Sequence, residues 1–265
     1  MPAVYLDMCA LRIVAESPER AARFVAAMRR ASASLLISSI TIYEFVLLSD
    51  MRHARAVDGV LQQLFRHLYF IQCDPITVIA KEEAVMDGAA IDAPHADADL
   101  FRQTLILGKQ QNGPLELTAL LSSRADELRS GLKEFMVNVR RAFELLKNRV
   151  DTEAGIRRNA DKALEALGDR KMATRALFTA LIKPLHDDCL PSENDTVDLM
   201  HSVVPASYAE LVVLDGRWAN AIEQATKRIR RMGYTASIAK PFSPRNQGIE
   251  AFLSALEMWP SAIGN

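Results

Sequence analysis

Apolar residues along this chain fall into two rhythms: short unbroken runs, and longer stretches with a period near 3.6. The unbroken runs predict strands at residues 3–8, 35–38, 70–73, 211–214 and 235–238, each too short for a helix and bounded by polar or turn residues. Between them the periodic stretches predict helices. Residues 18–31 carry Ser17 as N-cap, Pro18 in the first turn and a stripe of Ala22, Val25 and Met28. Further helices are expected at 41–48, 54–69, 75–86, 194–207, 217–232 and 247–259. Strand–helix alternation of this kind predicts a parallel α/β sheet.

The alternation stops in the middle of the chain. Residues 88–191 hold no strand signal. Ala89 to Asp99 is small and acidic, contains Pro94, and predicts a loop. Residues 115–150 predict one long helix, with Leu128, Leu132, Phe135, Val139, Phe143 and Leu146 near helical spacing. Helices at 151–167 and 170–181 follow, the second ended by Pro184. The expected organisation is an α/β domain formed by 1–87 and 192–265, interrupted by an all-helical insertion, 88–191. That insertion is expected to project as a substrate wall or a homodimer contact.

Composition narrows the class. The chain has 265 residues, 49% hydrophobic and 25% charged, enough for one large core. A net charge of -1 excludes a strongly basic nucleic-acid coat, so any polyanion site is a local patch. Candidate phosphate contacts are Arg29-Arg30, Arg140-Arg141, Arg157-Arg158, Lys227-Arg228 and Arg230-Arg231. Cys9, Cys73 and Cys189 are odd in number and lack metal-site spacing, which fits reduced thiols. Residues 1–17 lack a basic start, and no run reaches the length of a membrane helix. A soluble, cytoplasmic protein without a membrane partner is expected.

Four acids stand out against this frame. Asp7 closes Val4-Tyr5-Leu6, and Asp215 closes Leu211-Val212-Val213-Leu214. Glu44 follows Ile40-Thr41-Ile42-Tyr43, and Asp198 precedes Leu199-Met200-His201. A carboxylate at the tip of a buried strand is costly unless something positive meets it. Two such tips and two helix-borne acids predict a hard divalent cation, Mg²⁺ or Mn²⁺, held by oxygen. Such a site lets an activated water attack phosphorus, with no protein nucleophile. Each acid also has a plainer reading. Asp7 and Asp215 fit caps of following turns or helices, Thr41-x-x-Glu44 spells a capping box, and Asp198 suits a first helical turn. Asp195 reads as a cap, His201 as a packed helix residue, Arg217 as a phosphate contact and Trp218 as core.

The motifs Val4-Tyr5-Leu6-Asp7, Ile37 to Glu44, Asp198 to His201 and Val212 to Trp218 together resemble the PIN-domain nucleases. They stand in that family's order: strand acid, helix acid, helix acid, strand acid. The resemblance spans residues 3–87 and 192–240. It implies a parallel sheet flanked by helices, the acids at the strand carboxyl ends, and Mg²⁺- or Mn²⁺-dependent cleavage of single-stranded RNA. Asp7, Glu44, Asp198 and Asp215 would be the catalytic metal ligands. Many family members are toxins of toxin–antitoxin pairs, which raises an antitoxin or other protein partner as an expectation. The family's first motif usually continues Asp-Thr/Ser-Asn, whereas here it continues Asp7-Met8-Cys9. An inactive PIN-like scaffold that binds RNA or protein is the alternative.

Overall fold

Four short apolar runs and the edge segment Lys240–Phe242 form one parallel sheet, whose inner strands are apolar on both faces. The computed structural model describes residues 1–46, 50–110, 137, 173–187, 193–233 and 236–261. The strands are β1 (Ala3–Leu6), β2 (Ser34–Ser38), β3 (Leu68–Ile71), β4 (Leu211–Val213) and β5 (Lys240–Phe242). All pairings are parallel, in the order β3-β2-β1-β4-β5. Side chains alternate across the pleat. Val4, Leu6, Leu35, Ile37, Leu211 and Val213 enter one core, whereas Tyr5, Leu36, Val212 and Leu214 enter the other. Full burial of one such Leu or Val stabilises by about 1.5–3 kcal/mol.

Helices cover both faces. On the first lie α1 (Met8–Ala15), α2 (Pro18–Arg30), α4 (Met51–Gln63) and α10 (Gly248–Glu257), supplying Leu11, Phe24, Val57 and Phe252. On the second lie α7 (Ala173–Asp187), α8 (Glu193–Tyr208) and α9 (Gly216–Arg231), supplying Leu177, Val203 and Ile222. Three more complete the described set: α3 (Ser39–Val46), α5 (Pro75–Met86) and α6 (Ala98–Gln110). Of these, α5 packs on α7 and α8, and α6 on β3. Among the described residues no helix is long and apolar enough to cross a membrane.

Several boundaries differ from expectation for local reasons. The first strand stops at Leu6, because the Asp7 carboxylate accepts the Ala10 N–H and turns Met8-Cys9-Ala10 into the start of α1. The helix expected at 54–69 begins at Met51 and ends at Gln63. A 3₁₀ turn, Phe65–His67, then feeds β3 two residues early. The last strand lies at Lys240–Phe242 rather than 235–238. Ala239 N–H bonds to the Ala206 carbonyl on α8, so the ladder opens only at Lys240. Pro241 is tolerated there because β5 is an edge strand. The helix expected to end before Pro184 instead runs through it to Asp187.

The region 88–191 is described only in part. Residues 115–136, 138–150 and 151–167, the sites of two predicted helices, lie outside the described residues. Within the described part, α7 packs against α9, α8 and α5 and buries Ala176, Leu177 and Leu181 in the second core. This helix therefore shares the core of the sheet.

Candidate functional site

The chain builds β1, β2 and β3 outward in one direction, then returns through α7 and α8 to add β4 and β5 on the other side of β1. In such a sheet a crevice opens outside the strand carboxyl ends, where the order reverses. Here the reversal lies between β1 and β4. Asp7 directly follows β1 and Asp215 closely follows β4, and Asp7 N–H bonds to the Val213 carbonyl at 3.0 Å. The Asp215 backbone also lies close enough to the Asp7 carboxylate to favour its charged form. The two strand-tip acids are thus neighbours across the switch point.

Both also cap helices. Asp7 opens α1, and Asp215 opens α9 by accepting the Arg217 N–H at 2.9 Å. Capping accounts for part of each carboxylate and leaves its remaining oxygen. The capping-box reading of Glu44 does not hold. Helix α3 starts at Ser39, and the reciprocal bonds run between Ser38 and Thr41: Ser38 Oγ accepts Thr41 N–H, and Thr41 Oγ1 accepts Ser38 N–H. Glu44 therefore lies in the second turn. Asp198 also lies beyond the first turn of α8, where the helix dipole offers little, and its Oδ2 accepts from Trp218 Nε1 at 3.0 Å.

The four acids share one electrostatic field. Burial pushes Asp7 from the ordinary 3.8 up to about 6, and the Glu44 charge adds to the rise. The Ala10 amide, His201 and the Asp215 backbone oppose it. Asp198 is raised mainly by burial, with Glu44 and Asp215 adding and Trp218 and His201 opposing. The exposed Cys9 thiol at the mouth is raised by partial burial and by the charges of Asp7, Glu44 and Asp215, against Arg12. Acids that hold each other's protons this way favour a cation.

His201 is buried, 3% exposed, with Nδ1 hydrogen-bonded to the Tyr5 hydroxyl. Its Nε2 stands 3.2 Å from Glu44 Oε2, yet neither atom has a partner of hydrogen-bond geometry. Sequence reasoning passed over Tyr5, whose hydroxyl on a fully buried strand was itself the signal. The Met8 side chain enters the first core, which is why no hydroxyl stands at that position.

Basic groups divide between structure and site. Arg29 donates to the Gln63 carbonyl and Arg30 to those of Leu256 and Glu257, so this pair braces helix ends rather than awaiting phosphate. Arg140-Arg141 and Arg157-Arg158 lie outside the described residues. Lys227 pairs with Glu223, while Arg230 and Arg231 are exposed at the far end of α9. Near the acids, Arg217 binds Asp195 at 2.5 Å and lies over the buried Trp218 ring. Arg245 Nη2 stands 3.9 Å from Asp215 Oδ2. Its loop is tight: Asn246 and Gln247 have φ of 51° and 62°, and a Cβ on Gly248 would meet the Ser243 carbonyl oxygen at 1.8 Å.

A divalent cation suits this donor set in chemistry, since all four candidates are oxygen ligands and Glu44 Oε2 is buried without a hydrogen bond. In spacing the set is open. Among the described residues, no three acid, histidine or cysteine side chains are gathered into a metal-binding group. No family model, no curated protein and no solved structure matches the chain.

Proposed function

We propose that the protein is a Mg²⁺- or Mn²⁺-dependent endoribonuclease of the PIN-domain type, with Asp7, Glu44, Asp198 and Asp215 as its metal ligands. The observation that supports this most is the partial burial of Asp7 and Asp198 within the field of Glu44 and Asp215 at the switch point of a parallel sheet. The order of the four acids along the chain, which resembles that family's, adds to it. Bound there, the cation would neutralise phosphoryl charge and lower the pKa of an attacking water. The chain's own part is to hold the carboxylates in place. Trp218 Nε1 fixes Asp198, the α1 and α9 amides fix Asp7 and Asp215, and Arg245 stands at the rim where a phosphate backbone would pass.

Purified protein with Mn²⁺ is expected to cleave single-stranded RNA, to stop when EDTA is added, and to lose cleavage as Asp7→Asn while staying folded. RNA binding with no cleavage in either Mg²⁺ or Mn²⁺ would replace this reading with the inactive scaffold, for which Met8 packed in the core is the specific observation.

A further inference from the structure

We infer that Tyr5 and His201 form a buried positioning pair that fixes Glu44 as a cation ligand, through the chain Thr41–Tyr5–His201–Glu44 linking β1, α3 and α8. Tyr5 is 0% exposed and sits mid-strand, where Phe would fill the same volume without a polar atom to satisfy. Its hydroxyl reaches His201 Nδ1 on one side and Thr41 Oγ1, at 3.4 Å, on the other. Thr41 in turn meets Ser38 Oγ at 3.1 Å. Each of these residues except Glu44 is buried. Buried polar groups are ordinarily bonded, and here every one is joined to the next until the final gap, His201 Nε2 to Glu44 Oε2.

The direction of the chain follows from its donors. With the Thr41 hydroxyl donating to Tyr5 Oη, the phenol proton goes to His201 Nδ1, and the neutral imidazole then carries its proton on Nε2, facing Glu44. A phenol carries its proton at neutral pH, so Tyr5 can remain that donor. The pair acts on orientation. His201 Nε2 stands 3.2 Å from one Glu44 oxygen, close enough to orient it, and leaves the other for a cation. Residues that orient a metal ligand in this way are typically worth about 10–100-fold in metal affinity.

This inference rests on the metal-dependent reading, and the test separates the two. Mn²⁺ alone is titrated calorimetrically into wild type, Asp7→Asn, Tyr5→Phe, His201→Leu and His201→Gln, with melting temperature without metal as the folding control. Tyr5→Phe and His201→Leu are expected to weaken Mn²⁺ binding about 10–100-fold. His201→Gln, whose amide can donate where Nε2 does, is expected to recover most of it. If His201→Leu fails to fold, Tyr5→Phe and His201→Gln decide. Tyr5→Phe binding as tightly as wild type, while Asp7→Asn does not bind, would overturn the positioning role and leave the metal site standing. Wild type taking up no Mn²⁺ would overturn both.

Discussion

On the outer face of α2 and α10, Glu250 and Glu257 lie against arginines. Arg20 and Arg23 meet Glu250 at 2.7 Å, and Arg23 meets Glu257 at 2.8 Å. Hydrogen bonds from these arginines lower both carboxyls below their ordinary range. At the carboxyl end of β1 and β4, Asp7 and Asp198 are shifted the other way, by burial and by one another's neighbours. The same residue types therefore do different work. The first set joins two helices and is satisfied within the chain. The second is unfavourable for the folded chain alone, a cost that fits the proposed role in holding a cation.

The widest separation between the two sets should be in catalysis. Glu44→Gln or Asp198→Asn is expected to reduce RNA cleavage on the order of a thousandfold, which corresponds to about 4 kcal/mol of transition-state stabilisation. Glu250→Gln should leave the rate near that of wild type. Single-turnover rates with Mn²⁺ in excess make the comparison. Equal losses in the two sets would show that the effect travels through general stability.

Stability against pH should separate them by slope. Asp7 binds its proton more tightly folded, at about 6, than at its ordinary 3.8. Its favourable contribution is therefore complete below the ordinary value and is lost as pH rises through about 6. The loss is on the order of 3 kcal/mol by neutral pH. Glu250 has the opposite sign: its contribution is present above its ordinary value and is lost as pH falls through the lowered one. Asp7→Asn should thus be more stable than wild type at pH 7.5, with the advantage shrinking toward pH 4. Glu250→Gln should be less stable at pH 7.5, and its deficit should close on acidification. Denaturant midpoints across that range read the Asp7 effect, those continued below pH 4 read the Glu250 effect, and parallel curves would refute the burial of Asp7.

How far the sequence reveals these features depends on their range along the chain. The strand tips at Asp7 and Asp215 were legible, because an acid ending an apolar run is a local contradiction. The start of α1 was not, since Met8-Cys9-Ala10-Leu11 looks like the run continuing, and only the Asp7 cap breaks it. The shift of β5 to Lys240 depends on a bond from Ala239 to α8, which no local pattern records. The partner of Tyr5 lies 196 residues away, so its hydroxyl read as one more strand residue. The packing of α7 into the second core was hidden likewise, because its stripe looks the same whether it faces a sheet or a separate bundle.

The smallest expected effect tests the cause of the contrast. Exposed ion pairs are screened once the Debye length falls to about 3 Å, near 1 M salt, whereas a desolvation cost is not. The Arg20 and Arg23 pairs with Glu250 are about two-fifths exposed on the glutamate side. The deficit of Glu250→Gln in melting temperature, a few degrees at most in dilute buffer, should vanish in 1 M NaCl. The gain of Asp7→Asn should largely persist, because burial raises its pKa more than the Glu44 charge does. Melting curves of the three proteins at low and high NaCl, held at pH 7.5 with EDTA present, give both differences. Should the Asp7→Asn gain also disappear in salt, repulsion across solvent rather than burial governs the cluster. The acids would then lie farther into water than a dry, preorganised cation site requires.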